Sequence, residues 1–273
     1  MANPHPAREI ASRNHPLLKT IRKMVRSQEL CADGLVLLET PRLIADAIES
    51  GAAINKLLVR DGSQARFRDL IRRCPPETEL IAVGSEVFDT LLTTETTQGI
   101  LALAAQPRWG EADLITKKPA LLLVLDGIQD PGNLGTILRS AEAFGASGAI
   151  LNRGSVNPFN AKAFRASAGA LFRLPCLIAW TAALTLTFLR KNGIHAFATT
   201  ISGGLNLPRA DLTRPVAIVF GSEAHGLGTH WQAAELLTIP MTARAESLNV
   251  ASAAAVVLYE ISRQRSQLNM IVD

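Results

Sequence analysis

The sequence predicts an α/β protein with a parallel sheet. Apolar runs of strand length alternate with stretches of helical periodicity through most of the chain. The run Leu121–Leu125 is continuously apolar, as expected of a strand covered on both faces by helices. Hydrophobic residues make up 48% of the 273 and charged residues 19%, enough for a full core, which excludes wholesale disorder. The length allows one large or two ordinary domains.

The first 26 residues are basic: Arg8, Arg13, Lys19, Arg22, Lys23 and Arg26 stand against Glu9 alone. Such a start reads as a transit peptide, a solvated leader, or an RNA-contacting helix, since Ile21 and Val25 give the segment an amphipathic pattern. Leu35–Leu38 is a strand, and Pro41–Ser50 a helix with Leu43, Ile44, Ala47 and Ile48 on one face and Gly51 just past its end. Ile54–Val59, Leu80–Val83 and Gly99–Ala104 are further strands, and Ser85 is placed as the N-cap of a helix running to Leu92. Pro107–Pro119 has weak periodicity and reads as a linker between residues 1–106 and 120–273.

Beyond the linker the alternation is more regular. Leu134, Ile137, Leu138, Ala141 and Phe144 recur at helical spacing after the first buried strand. A short strand at Ala149–Leu151 and a helix at Ala161–Leu171 follow. Later strands are His195–Ala198, Val216–Phe220 and Leu236–Ile239, and the last helix runs from Val250 to about Arg263.

Composition narrows the function classes. Lys plus Arg is 28 and Asp plus Glu 24, a net charge of +4, which permits a nucleic-acid partner without demanding one. Aromatics at 5% argue against a broad base-stacking platform. Cys31, Cys74 and Cys176 are odd in number and widely spaced, which fits small buried residues in a reducing cytoplasm better than disulfides or a zinc site. No apolar run reaches the roughly 18 residues of a membrane span, so no membrane partner is expected, and without a CxxC or HExxH pattern no metal is expected either.

Ligands of parallel sheets bind at the carboxyl ends of strands. After Leu125 comes DGIQDPGNLG, then a helix bearing Arg139; after Phe220 comes GSEAHG; after Ile239 come Pro240, Met241 and a polar stretch leading to Ser247, Leu248 and Asn249 at the last helix. Three strand-end loops rich in Gly, Asn, Ser and Glu suit an active site. There is no GxGxxG after a strand and no GxxxxGK[ST], which disfavours a nicotinamide cofactor or a P-loop nucleotide. Read singly, Asn133 sits where an N-cap belongs, Asn249 caps the last helix, and Arg139 is a helix-surface arginine. Glu223 is a turn acid, and His225, with neither a nucleophile elbow nor an HExxH partner, is a loop residue rather than the catalyst.

Together the three segments, DPGNLGTILRSAEAFGASGAI, IVFGSEAHGL and IPMTARAESLNVASAAAVVLYEISRQR, resemble in order and wording the SpoU (TrmH-type) family of RNA ribose 2′-O-methyltransferases, a branch of the SPOUT superfamily. ASAGALFRLP looks like the family's intervening segment. NHPLLKTIRKM, GLVLLETPRLIADAI and TTQGILAL resemble its N-terminal substrate-binding domain, a small α/β module like certain ribosomal proteins, and argue against a transit peptide. The chain departs from the family pattern at Thr40, Ala161 and Ala224.

The resemblance implies a parallel sheet with a deep trefoil knot, an S-adenosyl-L-methionine pocket, a homodimer through the methyltransferase domain and a cytoplasmic enzyme. It implies that Thr199, Gly221, Ile239, Met241 and Leu248 hold the cofactor and that Asn133, Arg139, Glu223, Ser247 and Asn249 form the catalytic set. Arg13, Lys19, Arg22, Lys23, Lys162 and Arg165 would contact RNA, ribosomal RNA before transfer RNA. A catalytically silent RNA-binding relative is the alternative.

Overall fold

The computed structural model describes residues 8–27, 34–92, 97–222, 226–242 and 246–272. The chain forms two compact units, Met1–Arg108 with Phe159–Ala161, and Trp109–Pro158 with Lys162–Asp273.

The first unit contains β1 (Arg8–Ile10), α1 (Pro16–Ser27), β2 (Leu35–Leu38), α2 (Pro41–Glu49), β3 (Ile54–Arg60), α3 (Arg68–Arg73), β4 (Glu79–Val83), α4 (Ser85–Phe88) and β5 (Ile100–Ala105). Its sheet has the order β1-β4-β3-β5-β2 and is mixed: β1, β4 and β3 run parallel, while β5 runs antiparallel to β3 and β2. Leu18, Ile21 and Met24 of α1 bury against Leu58, Ile81, Val83, Leu101 and Leu103 on one face of this sheet. The alternate residues Leu57, Val59, Ala102 and Ala104 point the other way, and α2 and α3 lie on that side. Thr40 caps α2, its Oγ1 accepting from the Leu43 N–H at 3.2 Å, so threonine here starts a helix rather than a glycine-type turn. Ser85 is not a cap: Gly84 holds that position, the helix stops at Phe88, and the Ser85 hydroxyl donates to the Asp61 carbonyl.

The second unit opens with a 3₁₀ turn, Glu111–Ile115, whose Leu114 is fully buried in the core. Then follow β6 (Leu121–Asp126), α5 (Pro131–Ala143), β7 (Gly148–Asn152), α6 (Ala161–Ala166), β8 (Cys176–Trp180), α7 (Ala182–Lys191), β9 (His195–Thr200), β10 (Leu205–Asn206), β11 (Val216–Gly221), β12 (Glu235–Thr238) and α8 (Val250–Val272). All seven strands run parallel in the order β10-β12-β9-β11-β6-β7-β8. Leu122, Val124, Ile150, Ala217 and Val219 pack with Phe188 and Leu189 of α7, while α5 and α8 pack on each other.

Two helix boundaries in this unit also differ from expectation. Helix α6 stops at Ala166 because Ala168 (φ 48°) and Gly169 (φ 83°) turn left-handed, leaving a 3₁₀ turn at Ala170–Phe172. Helix α8 continues past Arg263 to Val272. Arg265 there donates to the carbonyls of Pro119, Ala120, Leu212 and Arg214 at 2.8–3.1 Å, clamping α8 to the amino ends of β6 and β11. Cys74 and Cys176 are buried free thiols, pushed up to about 11 and about 12 by burial, whereas Cys31 lies outside the described residues.

Candidate functional site

A cavity of about 730 Å³ opens at the carboxyl ends of the three adjacent strands β12, β9 and β11 and is closed by the start of α8. Its walls are mainly apolar, from Ile201, Phe220, Leu227, Leu236, Ile239 and Val250. Thr199, Gly221, Ile239, Met241 and Leu248 all line it, as do Ser247 and Asn249. The Thr199 hydroxyl is already engaged, donating to the Val219 carbonyl at 2.9 Å, so Thr199 offers the cavity its backbone and methyl.

Gly221 is required by its neighbours. A Cβ there would lie 2.5 Å from the Gly226 carbonyl oxygen and 2.8 Å from the Leu227 nitrogen. The loop turns back on β11 through paired backbone hydrogen bonds between Ser222 and Gly226, at 3.0 and 2.8 Å, with Gly226 at φ +65°. Glu223, Ala224 and His225 lie outside the described residues.

On the far side of β11, β6 leads into α5. Asp130, not Asn133, is the cap of this helix: its Oδ1 accepts from the Asn133 N–H at 2.7 Å, and Pro131 takes the first helical position. The Asn133 N–H, followed by the Lys162 ammonium at 3.3 Å, holds the Asp130 carboxyl below the usual carboxylate range. Freed from capping, Asn133 accepts through Oδ1 from Asn249 Nδ2 at 3.0 Å. Asn249 in turn caps α8, accepting from the N–H groups of Ala251 and Ser252. One amide pair thus joins the starts of α5 and α8 beside the cavity. Arg139 lies further along α5 and is exposed, with no hydrogen bond or ion pair among the described residues. Gly135 lets α6 approach, since a Cβ there would sit 2.3 Å from the Ala163 carbonyl oxygen.

Sequence reasoning missed a polar chain beneath the site. Asp126 ends β6 and pairs in register with Gly221. Its carboxylate accepts from Trp231 Nε1 at 2.8 Å and from Asn152 Nδ2 at 3.0 Å, and Asn152 accepts from the buried Thr185 hydroxyl at 2.8 Å. The chain ties β6, β7 and α7 to the segment after the 226 turn. An aspartate ending a buried strand was its one visible signal.

The expected RNA contacts divide. Lys19 and Lys23 are exposed on α1, Arg22 donates to the Arg13 carbonyl at 2.8 Å, and Arg13 lies 4.0 Å from Glu86. Lys162 is engaged with Asp130, and Arg165 is exposed at the end of α6. Among the described residues no group of His, Cys, Asp or Glu could hold a metal ion, and no helix is long and apolar enough to cross a membrane.

A parallel sheet with an apolar cavity at its strand ends defines an α/β domain of the nucleotide- and nucleoside-binding kind. Comparison with known proteins makes this specific. The family model of the SpoU rRNA Methylase family matches residues 120–259, and the MRM3-like substrate binding domain matches residues 15–102. The chain belongs to the SpoU family. It is 28% identical to the 23S rRNA (guanosine(2553)-2′-O)-methyltransferase RlmP of Bacillus subtilis, over 93% of this chain and 99% of that protein. It is 32% identical to an uncharacterised tRNA/rRNA methyltransferase of Synechocystis, over 94% of both chains. Among solved structures it resembles an AdoMet-bound rRNA methyltransferase from Sinorhizobium meliloti, with TM-score 0.83 and 28% identity over 94% of this chain and 98% of that one. The AviRb methyltransferase of Streptomyces viridochromogenes in complex with AdoMet gives TM-score 0.82 and 26% identity over 92% and 98%.

Proposed function

We propose that the chain transfers a methyl group from S-adenosyl-L-methionine to a ribose 2′-hydroxyl in structured RNA, with ribosomal RNA as the preferred substrate. The observation that carries this is the convergence of Thr199, Gly221, Ile239, Met241 and Leu248 on one apolar cavity, with Ser247 and Asn249 on its wall and Asn133 bonded to Asn249.

The residues present fit that cofactor. A nucleoside takes apolar walls and a few backbone donors and acceptors. This cavity supplies the walls, and its β11 edge is backbone that a Cβ at Gly221 would displace. When bound, the cofactor supplies a methyl group already activated on a sulfonium. The protein aligns the ribose hydroxyl, excludes water and manages one proton. The Asn133–Asn249 pair fixes the geometry between the cavity and α5, with Ser247 beside it. Arg139, exposed on α5, holds the substrate phosphate and stabilises the oxyanion that forms as the hydroxyl loses its proton. Direct base action is the weaker role, because guanidinium stays protonated in proteins. Glu223 comes to the catalytic set from the family resemblance and positions the 222–226 loop.

The same reading gives the second unit the family's deep trefoil knot and sets the enzyme in the cytoplasm. It divides the chain into a substrate-binding part, a linker and a methyltransferase part. It pairs two copies through the methyltransferase domain, where Val256 and Tyr259 of α8 are 41% and 58% exposed. Two experiments test it. Mapping 2′-O-methyl sites in total RNA with and without the gene should reveal a site that depends on this protein. Arg139→Ala should lower turnover on that RNA by about 10²-fold or more while cofactor affinity holds. Near-normal turnover of the variant would remove Arg139 from the mechanism.

A further inference from the structure

The first unit carries a second basic surface that the reading of α1 does not use. The segment 66–73 reads RFRDLIRR, with one acid among its four arginines. Arg73 is paired with Glu49 on α2. Arg66, Arg68 and Arg72, together with Arg42 at the start of α2, are exposed, and among the described residues none has an ion pair or hydrogen bond through its guanidinium. Between α2 and the 66–70 segment lies a groove of about 460 Å³. Pro41, Ala45 and Leu70 give it an apolar floor, Arg42 and Arg66 stand over it, and Asp69 is the one acid in its lining. The Arg66 guanidinium lies 5.1 Å from the centroid of the buried Phe67 ring, so the ring supports it from one side.

A planar cation braced on an aromatic ring is ordered before any ligand arrives. Its N–H edge suits a phosphate, and its outer face suits a nucleobase. A groove with an apolar floor, one such cation and the second exposed guanidinium of Arg42 takes one unstacked nucleotide better than a continuous duplex, whose bases are covered. The volume falls within the range of small-ligand pockets. The groove also lies on the α2–α3 side of the sheet, whereas the stripe Lys19, Lys23 and Arg26 of α1 lies on the other.

We propose that the groove between α2 and α3 is a second RNA contact, in which Arg42 and Arg66 hold a phosphodiester and one flipped-out nucleobase of an RNA segment separate from the one on α1. This rests on the RNA-modifying reading above and adds to it a site and a preference for an unpaired nucleotide.

The test uses the full chain, with fluorescence anisotropy of a labelled RNA hairpin carrying one bulged nucleotide and of the same hairpin fully paired, each titrated across potassium chloride. Wild type should prefer the bulged hairpin. Arg42→Ala with Arg66→Ala should weaken that binding by about tenfold and flatten the log–log salt slope by about one to two, as lost phosphate contacts require. Arg42→Lys with Arg66→Lys should keep the slope and lose the preference for the bulge, since lysine keeps the charge but not the plane. Arg190→Ala with Lys191→Ala, which removes the same charge from α7, should keep the preference. A double alanine variant with the wild-type slope and preference, or a wild type that treats both hairpins alike, overturns the proposal. Methyl transfer from S-adenosyl-L-methionine to 23S rRNA fragments is measured on the same preparations. Groove-independent binding in a protein that methylates sinks this inference alone, and groove-dependent binding in one that never methylates sinks the proposed reaction alone.

Discussion

Replacing Gly221 with alanine should damage the cavity with little chemical change. The new Cβ would start 2.5 Å from the Gly226 carbonyl oxygen, and that oxygen already accepts from the Ser222 N–H at 3.0 Å. Carbon and carbonyl oxygen settle at about 3.3 Å, so the loop must withdraw by roughly 0.8 Å. Neither contact atom is a flexible side chain, since the closest three are all backbone. Such overpacking costs about 1–3 kcal/mol, and a shift that distorts the cavity by the same free energy weakens binding by roughly 5- to 150-fold. Gly84→Ala is the matched control, because nothing lies within 4 Å of its Cβ and its φ is −50°. Calorimetric titration with S-adenosyl-L-methionine, beside thermal melts of both variants, is the assay. Wild-type affinity in Gly221→Ala would refute the claim that the close approach shapes the cavity.

Three further outcomes are expected. Asn249→Ala should cost about 1 kcal/mol through the lost cap, lowering the melting temperature by a few degrees, and should cut methyl transfer more than that loss explains; activity that tracks stability alone would make the amide pair merely structural. Arg265→Met should cost about 2–4 kcal/mol in urea denaturation, because four carbonyls lose a charged donor, and a change under half a kcal/mol would show the clamp to be idle. Cys176, pushed up to about 12 by burial, should resist iodoacetamide at pH 8 until the protein unfolds. Since folding retains its proton, stability should decline as pH rises above the ordinary thiol value near 8.5; prompt alkylation of the native protein, or stability flat through that range, would contradict the buried setting.

What the sequence disclosed follows physical lines. The strands at Leu121–Leu125 and Val216–Phe220 were legible because burial on both faces makes them continuously apolar. Strand β8 was not, since it is a sheet edge with Ile178 exposed and a bulge at Ala179, φ 61°. Strands β1 and β10 are three and two residues long, too short to show an alternating pattern. Helix α3 buries only Ile71 among its arginines and carries no apolar stripe. The strand-end loops around the cavity were reachable because parallel sheets place ligands at the carboxyl ends of strands, while the individual lining residues came from the family resemblance. The cap of α5 was misplaced by three residues because Asn133 looked like a cap, although Asp130 followed by proline was the stronger signature. The link from Trp231 to Asp126 spans 105 residues and leaves no local trace.

The bond between Asn133 and Asn249 joins positions 116 apart, and Asn249 stands at the threshold of α8. A ribosome making this chain therefore finishes every strand around the cavity before it makes the helix that shuts it. Until residue 250 and the turns beyond it emerge, including the Arg265 clamp, the nascent protein has a fold in outline and an open pocket. A copy halted before residue 247 would lack the residues of the last helix and its cap that line the cavity.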